Sequence, residues 1–341
     1  MKKIIKIAII FFIIMLFYAG WPLLLGPFVD FARDKTAKKS SVPIEVVFVT
    51  AEKDFETLPY SVASLRKHIK NPVSKIVLVS KKTDKALKLA SSLGMQHVDE
   101  NSLLRLESFK KYVSDKVLHH DRPTWYYQQF LKLLYGKVTT SPYFLIVDAD
   151  VVFMKPVMMI SDYKIPTFFI GFDAGRVQYQ NSARHLLGKD QFVPEFSFIC
   201  NFMLFETSVV KSLINHIESK FKMPFYKAAI NAEQAKNANA RFSEYELYGI
   251  YANFNKSSHK SPKLASYLLK SHLQHDRIRM LYDQYDYRLK FFPYITYDHY
   301  MKGNKSSYEK TKRLIKWVGA LLRWPIKSIK EWSPNSENTV K

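Results

Sequence analysis

The sequence predicts an α/β protein with an open, mostly parallel sheet flanked by helices. Short β-branched runs that end in polar residues alternate with segments of helical spacing, in the order strand, helix, strand, helix. This alternation is typical of parallel strands joined by crossover helices. The chain of 341 residues is 47% hydrophobic and 15% aromatic, so it has to bury a sizeable core. Such a composition excludes a disordered or low-complexity protein.

The first four elements are predicted between residues 43 and 94. The run PIEVVFVTA, residues 43–51, is typical of a buried strand followed by a loop. Residues 60–68 have helical spacing, and residues 74–80 predict a second buried strand. A second helix is predicted at 84–93, where Gly94 occupies the usual position of a C-cap glycine.

The later elements continue the alternation, and together they predict one α/β domain over residues 43–300. A mostly helical segment covers 122–138, and Tyr143 opens a strand with the sequence YFLIVDADVVFMKP. The remaining predicted elements are strands at 167–173 and 198–206, a helix at 209–221, and helical segments in the first half of 228–252 and again from Glu244.

The N-terminal residues predict a transmembrane anchor. After three lysines in the first six residues, the run 7–29 carries no charge and begins with IAIIFFIIMLFYAGW. As a helix, about 19 residues of this run would reach about 28 Å, close to the thickness of the hydrocarbon core. The alternative is a cleaved signal peptide, but a cut after Ala19 would place bulky Phe17 where a small residue is preferred. We therefore predict an anchor over residues 1–29 and a linker over 30–42.

The C-terminal residues 301–341 predict a basic amphipathic tail that associates with a membrane. On a helical wheel five of its basic residues fall within an arc of about 60°, opposite an apolar side that includes tryptophans. This pattern is typical of a helix on anionic lipid, although Pro325 would kink it. The alternative is a helix that packs its apolar face on the domain. The basic residues within this arc are Lys312, Lys316, Arg323, Lys327 and Lys330.

The charge balance has to be explained by a partner. Lysine and arginine number 52 against 30 acidic residues, which gives a net charge of +22. The two ends of the chain hold part of this excess, so we expect membrane lipid, and not nucleic acid, as its partner. The lone cysteine, Cys200, excludes a disulfide-stapled secreted module.

The most informative candidate site is Asp148-Ala149-Asp150. It follows the apolar run FLIV and precedes VVF, so both acids are expected where a buried strand leaves the sheet. Ligands of open α/β sheets bind at the carboxyl ends of strands, and residues two apart on a strand point the same way. Two such carboxylates would suit Mg²⁺ or Mn²⁺, which could stabilise a departing diphosphate. The alternative is a pair of solvated strand-end aspartates.

These features resemble those of the GT-A glycosyltransferases, which combine a Rossmann-like fold with a DxD motif. The chain is similar, more closely, to a largely bacterial family of unknown function whose members are regarded as candidate glycosyltransferases. The similarity lies in WYYQQFLKL (125–133), in the DxD strand and in SEYELYG (243–249), and it covers residues 43–255. The resemblance therefore implies a GT-A-like catalytic domain.

The resemblance also implies individual roles. Asp148 and Asp150 would hold the metal and the diphosphate of a nucleotide-sugar donor. From its charge alone Lys132 could neutralise phosphate, with a solvated helical lysine as the alternative. Asp173 joins the donor-binding candidates because it also follows a predicted strand. The residues expected near the donor are Thr50, Gln128, Gln129, Lys132 and Asp173.

Glu244 is the candidate general base. Ser243 could cap a helix and place Glu244 in its first turn, where a carboxylate could deprotonate an acceptor hydroxyl in an inverting reaction. Glu246 is the substitute, and acids also occur in first turns because they suit the helix dipole. Many GT-A enzymes are similar to one another in adding a histidine to the metal, and the spacing here selects none of His259, His272, His275 and His299.

The expected function is transfer of a sugar from a nucleotide-diphosphate donor to a cell-surface glycan or lipid-linked acceptor, of lipopolysaccharide or capsule type. We expect a single-pass protein of the bacterial inner membrane with a cytoplasmic catalytic domain, with a lumenal Golgi domain as the alternative. A phosphatase of the haloacid-dehalogenase type also has a strand followed by DxD, but Val152 replaces its usual threonine. A catalytically silent membrane-associated scaffold is the remaining alternative.

Overall fold

The computed structural model describes residues 39–116, 123–170, 176–188, 194, 196–234, 240–254, 263–266, 271–274 and 294–298. The predicted anchor and the predicted basic tail lie outside these residues. Within them, no helix combines the length and the apolar character that crossing a bilayer requires.

The described strands and helices alternate strictly only over residues 44–113. The strands are β1 (Ile44–Val49), β2 (Val73–Ser80), β3 (Gln96–Asp99), β4 (Tyr143–Val147), β5 (Val151–Phe153), β6 (Thr167–Ile170), β7 (Phe202–Glu206), β8 (Lys263–Ser266), β9 (Ser271–Gln274) and β10 (Tyr294–Asp298). The α-helices are α1 (Leu58–His68), α2 (Asp84–Ser92), α3 (Leu106–Val113), α4 (Pro123–Leu134), α5 (Arg176–Leu187), α6 (Thr207–Phe221), α7 (Phe225–Gln234) and α8 (Glu244–Phe254).

The central sheet has the strand order β3-β2-β1-β4-β7. β1 pairs in parallel with β2 and with β4, β2 pairs in parallel with β3, and only the edge strand β7 is antiparallel to its neighbour β4. This arrangement confirms an α/β fold with a mixed, mostly parallel sheet and flanking helices. Two small sheets accompany it, with the strand orders β5-β10-β9 and β6-β8.

The central strands of the sheet are buried on both faces, and their sequences are therefore almost continuous apolar runs. Every residue of β1 is buried, including Glu45. The Glu45 carboxylate accepts a hydrogen bond from the hydroxyl of Thr139 at 2.7 Å and one from the hydroxyl of Tyr135, and it lies 3.3 Å from the ammonium of Lys75. A buried carboxylate is tolerated in a strand only when it is paired in this way.

Two predicted strands have different bounds in the structure. The strand predicted from Tyr143 through the DxD motif is interrupted after Val147, and Asp148, Ala149 and Asp150 form a turn before β5. The amide of Val151 donates to the carbonyl of Asp148 at 3.1 Å and closes this turn. Asp148 and Asp150 are therefore not residues of one strand, and the prediction that strand geometry points them the same way is wrong. Both acids do follow the buried end of β4.

The predicted strand at 198–206 begins only at Phe202. The amide of Phe198 donates to the Glu246 carboxylate at 2.7 Å, and the amide of Ile199 donates to the Ser197 hydroxyl at 3.1 Å. Because side chains satisfy these backbone groups, the segment before β7 does not need a strand neighbour.

The same segment packs tightly against α8 at a glycine. An added methyl group at Gly249 would lie 2.5 Å from Cδ2 and 2.7 Å from Cβ of the buried Phe198. Such distances are far below van der Waals contact, so this helix can approach Phe198 only without a side chain at position 249. The last residue of the SEYELYG segment is thus explained by packing.

We predict that Gly249→Ala lowers the free energy of unfolding by about 2 kcal/mol, because the overpacked methyl group outweighs the gain of helix propensity from alanine. The measurement is denaturant unfolding of the single variant, of Phe198→Leu and of the double variant. The smaller leucine should relieve the clash, so the double variant should lose less stability than the two single losses added together. Additive losses would contradict the packing explanation.

Candidate active site

The candidate site lies where the strand order of the central sheet changes direction. β2 follows β1 on one side and β4 adjoins β1 on the other, which creates a switch point between β1 and β4. Phe48 pairs with Val147, so the two strands end side by side. Thr50 directly follows β1 and Asp148 directly follows β4. The structure therefore brings these two predicted residues to the place where open α/β sheets bind ligands.

Helix α4 carries three further predicted residues toward this edge, and they have different partners. Gln128 donates its side-chain amide to the carbonyl of Val49, the last residue of β1, at 2.6 Å. Gln129 is buried and faces Glu244; in the amide orientation that satisfies both groups, its nitrogen donates to the two oxygens of that carboxylate. Lys132 is buried beside Asp148.

Lys132 joins the DxD turn to the start of α8. Its ammonium lies 2.8 Å from Oδ1 of Asp148 and 2.8 Å from Oε1 of Glu244. It also donates to the hydroxyl of Tyr245 at 3.3 Å and lies 4.6 Å from the centre of that ring. Burial alone would lower the pKa of Lys132, but the charges of Asp148 and Glu244 outweigh burial and raise it, so the ammonium keeps its proton.

We call Asp148, Lys132 and Glu244 the charged cluster. The solvent exposure of its side chains falls in that order. The side chain of Asp148 is 24% exposed, that of Lys132 is 3% exposed and that of Glu244 is 0% exposed. Burial pushes the pKa of Glu244 upward, and the ammonium of Lys132 is the main group that opposes this shift. Burial, followed by the charges of Asp148 and Glu244, raises the pKa of Tyr245, whose hydroxyl therefore stays protonated.

Asp148 is fixed by several contacts from both sides. Besides the ammonium, Oδ1 lies 3.5 Å from the Tyr245 hydroxyl, and Oδ2 accepts from the side-chain amide of Asn201 at 3.3 Å. The backbone amide of Asp148 donates to the carbonyl of Asn201 at 2.8 Å. Asn201 immediately precedes β7, so the antiparallel edge strand helps to hold the turn after β4.

The two acids at the start of α8 have separate partners. Ser243 caps the helix, since its hydroxyl accepts from the amide of Glu246 at 3.3 Å, and Glu244 begins it as predicted. The Glu246 carboxylate accepts hydrogen bonds from the hydroxyl of Ser197 at 2.8 Å and from the side-chain amide of Gln180 at 3.2 Å. Glu246 is therefore a structural acceptor that joins α5 and the segment before β7 to α8.

The DxD turn offers oxygen ligands that fit a divalent cation. Mg²⁺ is usually held by one or two carboxylates, with waters and substrate phosphates as its remaining ligands. Asp148 and Asp150 are both partly exposed and supply this number of carboxylates. The described residues contain no group of three or more histidine, cysteine or acidic side chains that could form a complete metal cage. The donor set thus suits a cation that is shared with a phosphorylated ligand.

Some predicted site residues cannot be placed. Asp173, His259, His275 and His299 lie outside the described residues, and His272 lies within β9. Neither Asn201 nor Tyr245 was predicted from the sequence as a site residue. Tyr245 belongs to the SEYELYG segment, so its position next to Glu244 was an available signal, whereas nothing in the sequence around Asn201 points to Asp148.

The half-buried carboxylate of Glu233 on α7 contacts α4 and the residues just before α8. It accepts a hydrogen bond from the hydroxyl of Tyr126 at 2.7 Å and another from the backbone amide of Phe242. Burial raises the pKa of Glu233 from its ordinary value of 4.5 to about 7, and the two hydrogen bonds and the charge of Arg241 only partly oppose this shift. Glu233 thus links α4 to the residues that lead into α8.

Comparison with known proteins gives a family but no curated relative. The model of a family described as "Family of unknown function (DUF6492)" matches residues 47–285. No curated protein matches the chain.

Among solved structures, the chain is similar to mouse xyloside xylosyltransferase 1 in its apo form. That match has 11% identity and a TM-score of 0.43, and it covers 77% of this chain and 100% of the other. A galactosyltransferase, LgtC, in complex with donor and acceptor sugar analogs, matches with 11% identity and a TM-score of 0.43 over 81% of this chain and 96% of the other. At this level of similarity the matches assign no activity, so function has to be argued from the residues.

We predict that Glu233→Gln removes a pH-dependent loss of stability. The folded protein holds the Glu233 proton up to about pH 7, whereas the unfolded chain releases it near 4.5, so the wild-type free energy of unfolding falls between these pH values as pH rises. Above this range the buried charge costs roughly 3 kcal/mol, and the neutral amide avoids that cost.

The measurement is denaturant unfolding of both proteins from about pH 4 to about pH 9. Glu107→Gln is the matched control, because its side chain is 87% exposed, and it should follow the wild type at every pH. A difference between wild type and Glu233→Gln that stays constant over the range would contradict the prediction.

Proposed function

The chain belongs to the family of unknown function DUF6492, and because that family supplies no activity, we propose a function from the site itself. We propose a metal-dependent glycosyltransferase that uses a nucleotide-diphosphate-sugar donor. The observation that carries this proposal is the position of two carboxylates, Asp148 and Asp150, in a turn at the carboxyl end of β4, beside the switch point between β1 and β4.

The chemistry of this edge supports the proposal. Mg²⁺ or Mn²⁺ held by Asp148 and Asp150 would supply charge stabilisation for a departing nucleoside diphosphate. Thr50 and Gln128 stand at the end of β1, where the donor would lie across the switch point. The sequence resemblance of the WYYQQ helix, the DxD segment and SEYELYG to GT-A glycosyltransferases supports the same reaction class.

The acceptor and the membrane association are part of the proposal. A cell-surface glycan or lipid-linked acceptor, of lipopolysaccharide or capsule type, would explain why a domain of this kind has an apolar N-terminal run and a basic C-terminal tail. We propose an inner-membrane protein with a cytoplasmic catalytic domain. The predicted base role of Glu244 stays a prediction, and the complete burial of its carboxylate favours the positioning role argued below.

We predict that the full-length chain binds a nucleotide-sugar in the presence of Mn²⁺ or Mg²⁺, and that Asp150→Asn abolishes this binding. Loss of a direct carboxylate ligand should weaken metal-supported binding by more than the roughly 10–100-fold that follows loss of an outer-shell partner. The measurement is calorimetry across a donor panel, with slow donor hydrolysis as the second readout.

Asp115→Asn is the matched control, since this aspartate is 79% exposed and lies outside the site. The control should bind donor as the wild type does. Absence of binding to any donor with either metal would contradict the proposal, and turnover of a phosphomonoester through a phospho-aspartate at Asp148 would establish the phosphatase alternative.

We also predict two separable membrane contacts. The full-length chain should resist extraction by alkaline carbonate, because an apolar span is held by the hydrocarbon core. A variant without residues 1–29 should still sediment with anionic vesicles at low salt and dissociate at high salt, because lysine and arginine contacts with lipid headgroups are screened. If that variant does not bind vesicles at low salt, the basic tail does not contact the membrane.

A further inference from the structure

The ammonium of Lys132 has no hydrogen-bond donor left for a substrate phosphate. An ammonium carries three N–H groups, and three acceptors surround this one. They are Oδ1 of Asp148 at 2.8 Å, Oε1 of Glu244 at 2.8 Å and the hydroxyl of Tyr245 at 3.3 Å. The face of the Tyr245 ring covers the same charge. Lys132 is therefore committed to protein groups and acts on a ligand only through Asp148.

Glu244 lies behind Lys132 and cannot contact a ligand directly. Its carboxylate has no exposed surface, and its partners are the ammonium of Lys132 and the amide of Gln129. A general base has to reach the hydroxyl from which it takes a proton. Because this carboxylate is enclosed by α4 and α8, its effect on the site passes through Lys132.

Asp148 is the member of the cluster that both reaches the surface and belongs to the proposed metal site. The ammonium occupies the Oδ1 side of its carboxylate, and the Asn201 amide contacts Oδ2. A divalent cation at Asp148 would need the same carboxylate and would be repelled by the ammonium. The strength of the contact between Lys132 and Asp148 therefore has to affect how well Asp148 binds a cation.

We propose that Lys132 and Glu244 are positioning residues that together set the affinity of Asp148 for a divalent cation. Lys132 places a positive charge beside the Asp148 carboxylate, and Glu244 balances that charge, so that Asp148 remains available to the metal. The inference deepens the proposed function and rests on its metal site, but not on the identity of the donor.

The equal distances explain why both partners are needed. With two carboxylates at 2.8 Å, the single positive charge of Lys132 is balanced inside the protein by Glu244, and the charge of Asp148 is left to attract a cation. If Glu244 becomes neutral, the ammonium is balanced by Asp148 alone. If both charges are removed together, the net charge near Asp148 returns to that of the wild type.

The experiment is a titration of the full-length chain with Mn²⁺ alone, in which electron paramagnetic resonance measures free Mn²⁺. For Glu244→Gln we expect affinity for Mn²⁺ to fall about tenfold, the effect of one added unit charge on a neighbouring, partly buried site. For Lys132→Met with Glu244→Gln we expect affinity within about threefold of the wild type, because the charges cancel again. Asp115→Asn is the control and should bind as the wild type does.

This rescue separates a charge effect from a structural one. Thermal unfolding of each variant shows that the protein is folded at the temperature of the titration. If Glu244→Gln binds Mn²⁺ as tightly as the wild type, or if the double variant is as weak as Glu244→Gln, the inference is overturned. Should Glu244→Gln not fold, the double variant still decides, since a tenfold loss of Mn²⁺ affinity there would overturn it.

Donor binding distinguishes this inference from the proposed function. If the wild type binds Mn²⁺ and the variants respond as expected, but no nucleotide-sugar binds, the inference stands and the proposed function fails. If a nucleotide-sugar binds while the wild type does not bind Mn²⁺ alone, the inference is overturned and the proposed function stands.

Discussion

The structure of the site depends on one buried ammonium. A lysine loses its hydration when it is buried, and it is tolerated only where opposite charges and acceptors replace the water. Lys132 obtains them from the DxD turn and from the start of α8, at 2.8 Å on each side. Removing one partner of such a cluster leaves an uncompensated charge, so α4, the turn after β4 and α8 can be assembled only together. The resemblance segments WYYQQFLKL and SEYELYG are therefore two halves of one structural unit.

The two acids in the first turn of α8, Glu244 and Glu246, have different roles. Residues two apart on a helix do not share a face, so Glu244 and Glu246 point toward different partners. Glu244 meets the ammonium of Lys132, whereas Glu246 accepts hydrogen bonds from Gln180, Ser197 and the amide of Phe198. The first acid adjusts the charge beside the DxD turn, and the second fixes the helix on α5 and on the segment before β7. Gly249 allows that segment to pack closely.

Most of the sheet could be predicted because β1, β2 and β4 are buried on both faces and leave long apolar runs in the sequence. The break between β4 and β5 was missed because apolar residues flank the DxD motif on both sides, so hydrophobicity alone does not mark the turn. β3, α3 and α5 have weak or mixed patterns and were not predicted. At the site, the positions of Thr50 and Asp148 follow from strand ends, but the burial of Glu244 does not, since an acid in a first turn is as readily explained by the helix dipole.

The gradient of exposure across the cluster limits what each charge can recognise. Glu244 and Lys132 have at most 3% of their side chains exposed, while Asp148 has 24% exposed. Under the proposed function, a bound ligand would therefore meet the two aspartates of the turn and not the charges behind them. Two carboxylates attract a cation, and through that cation a diphosphate, but they do not distinguish one sugar from another, because neither carboxylate needs to touch the sugar hydroxyl groups. Selection of the sugar then has to come from groups around the turn, and the buried cluster serves to set the charge beside Asp148.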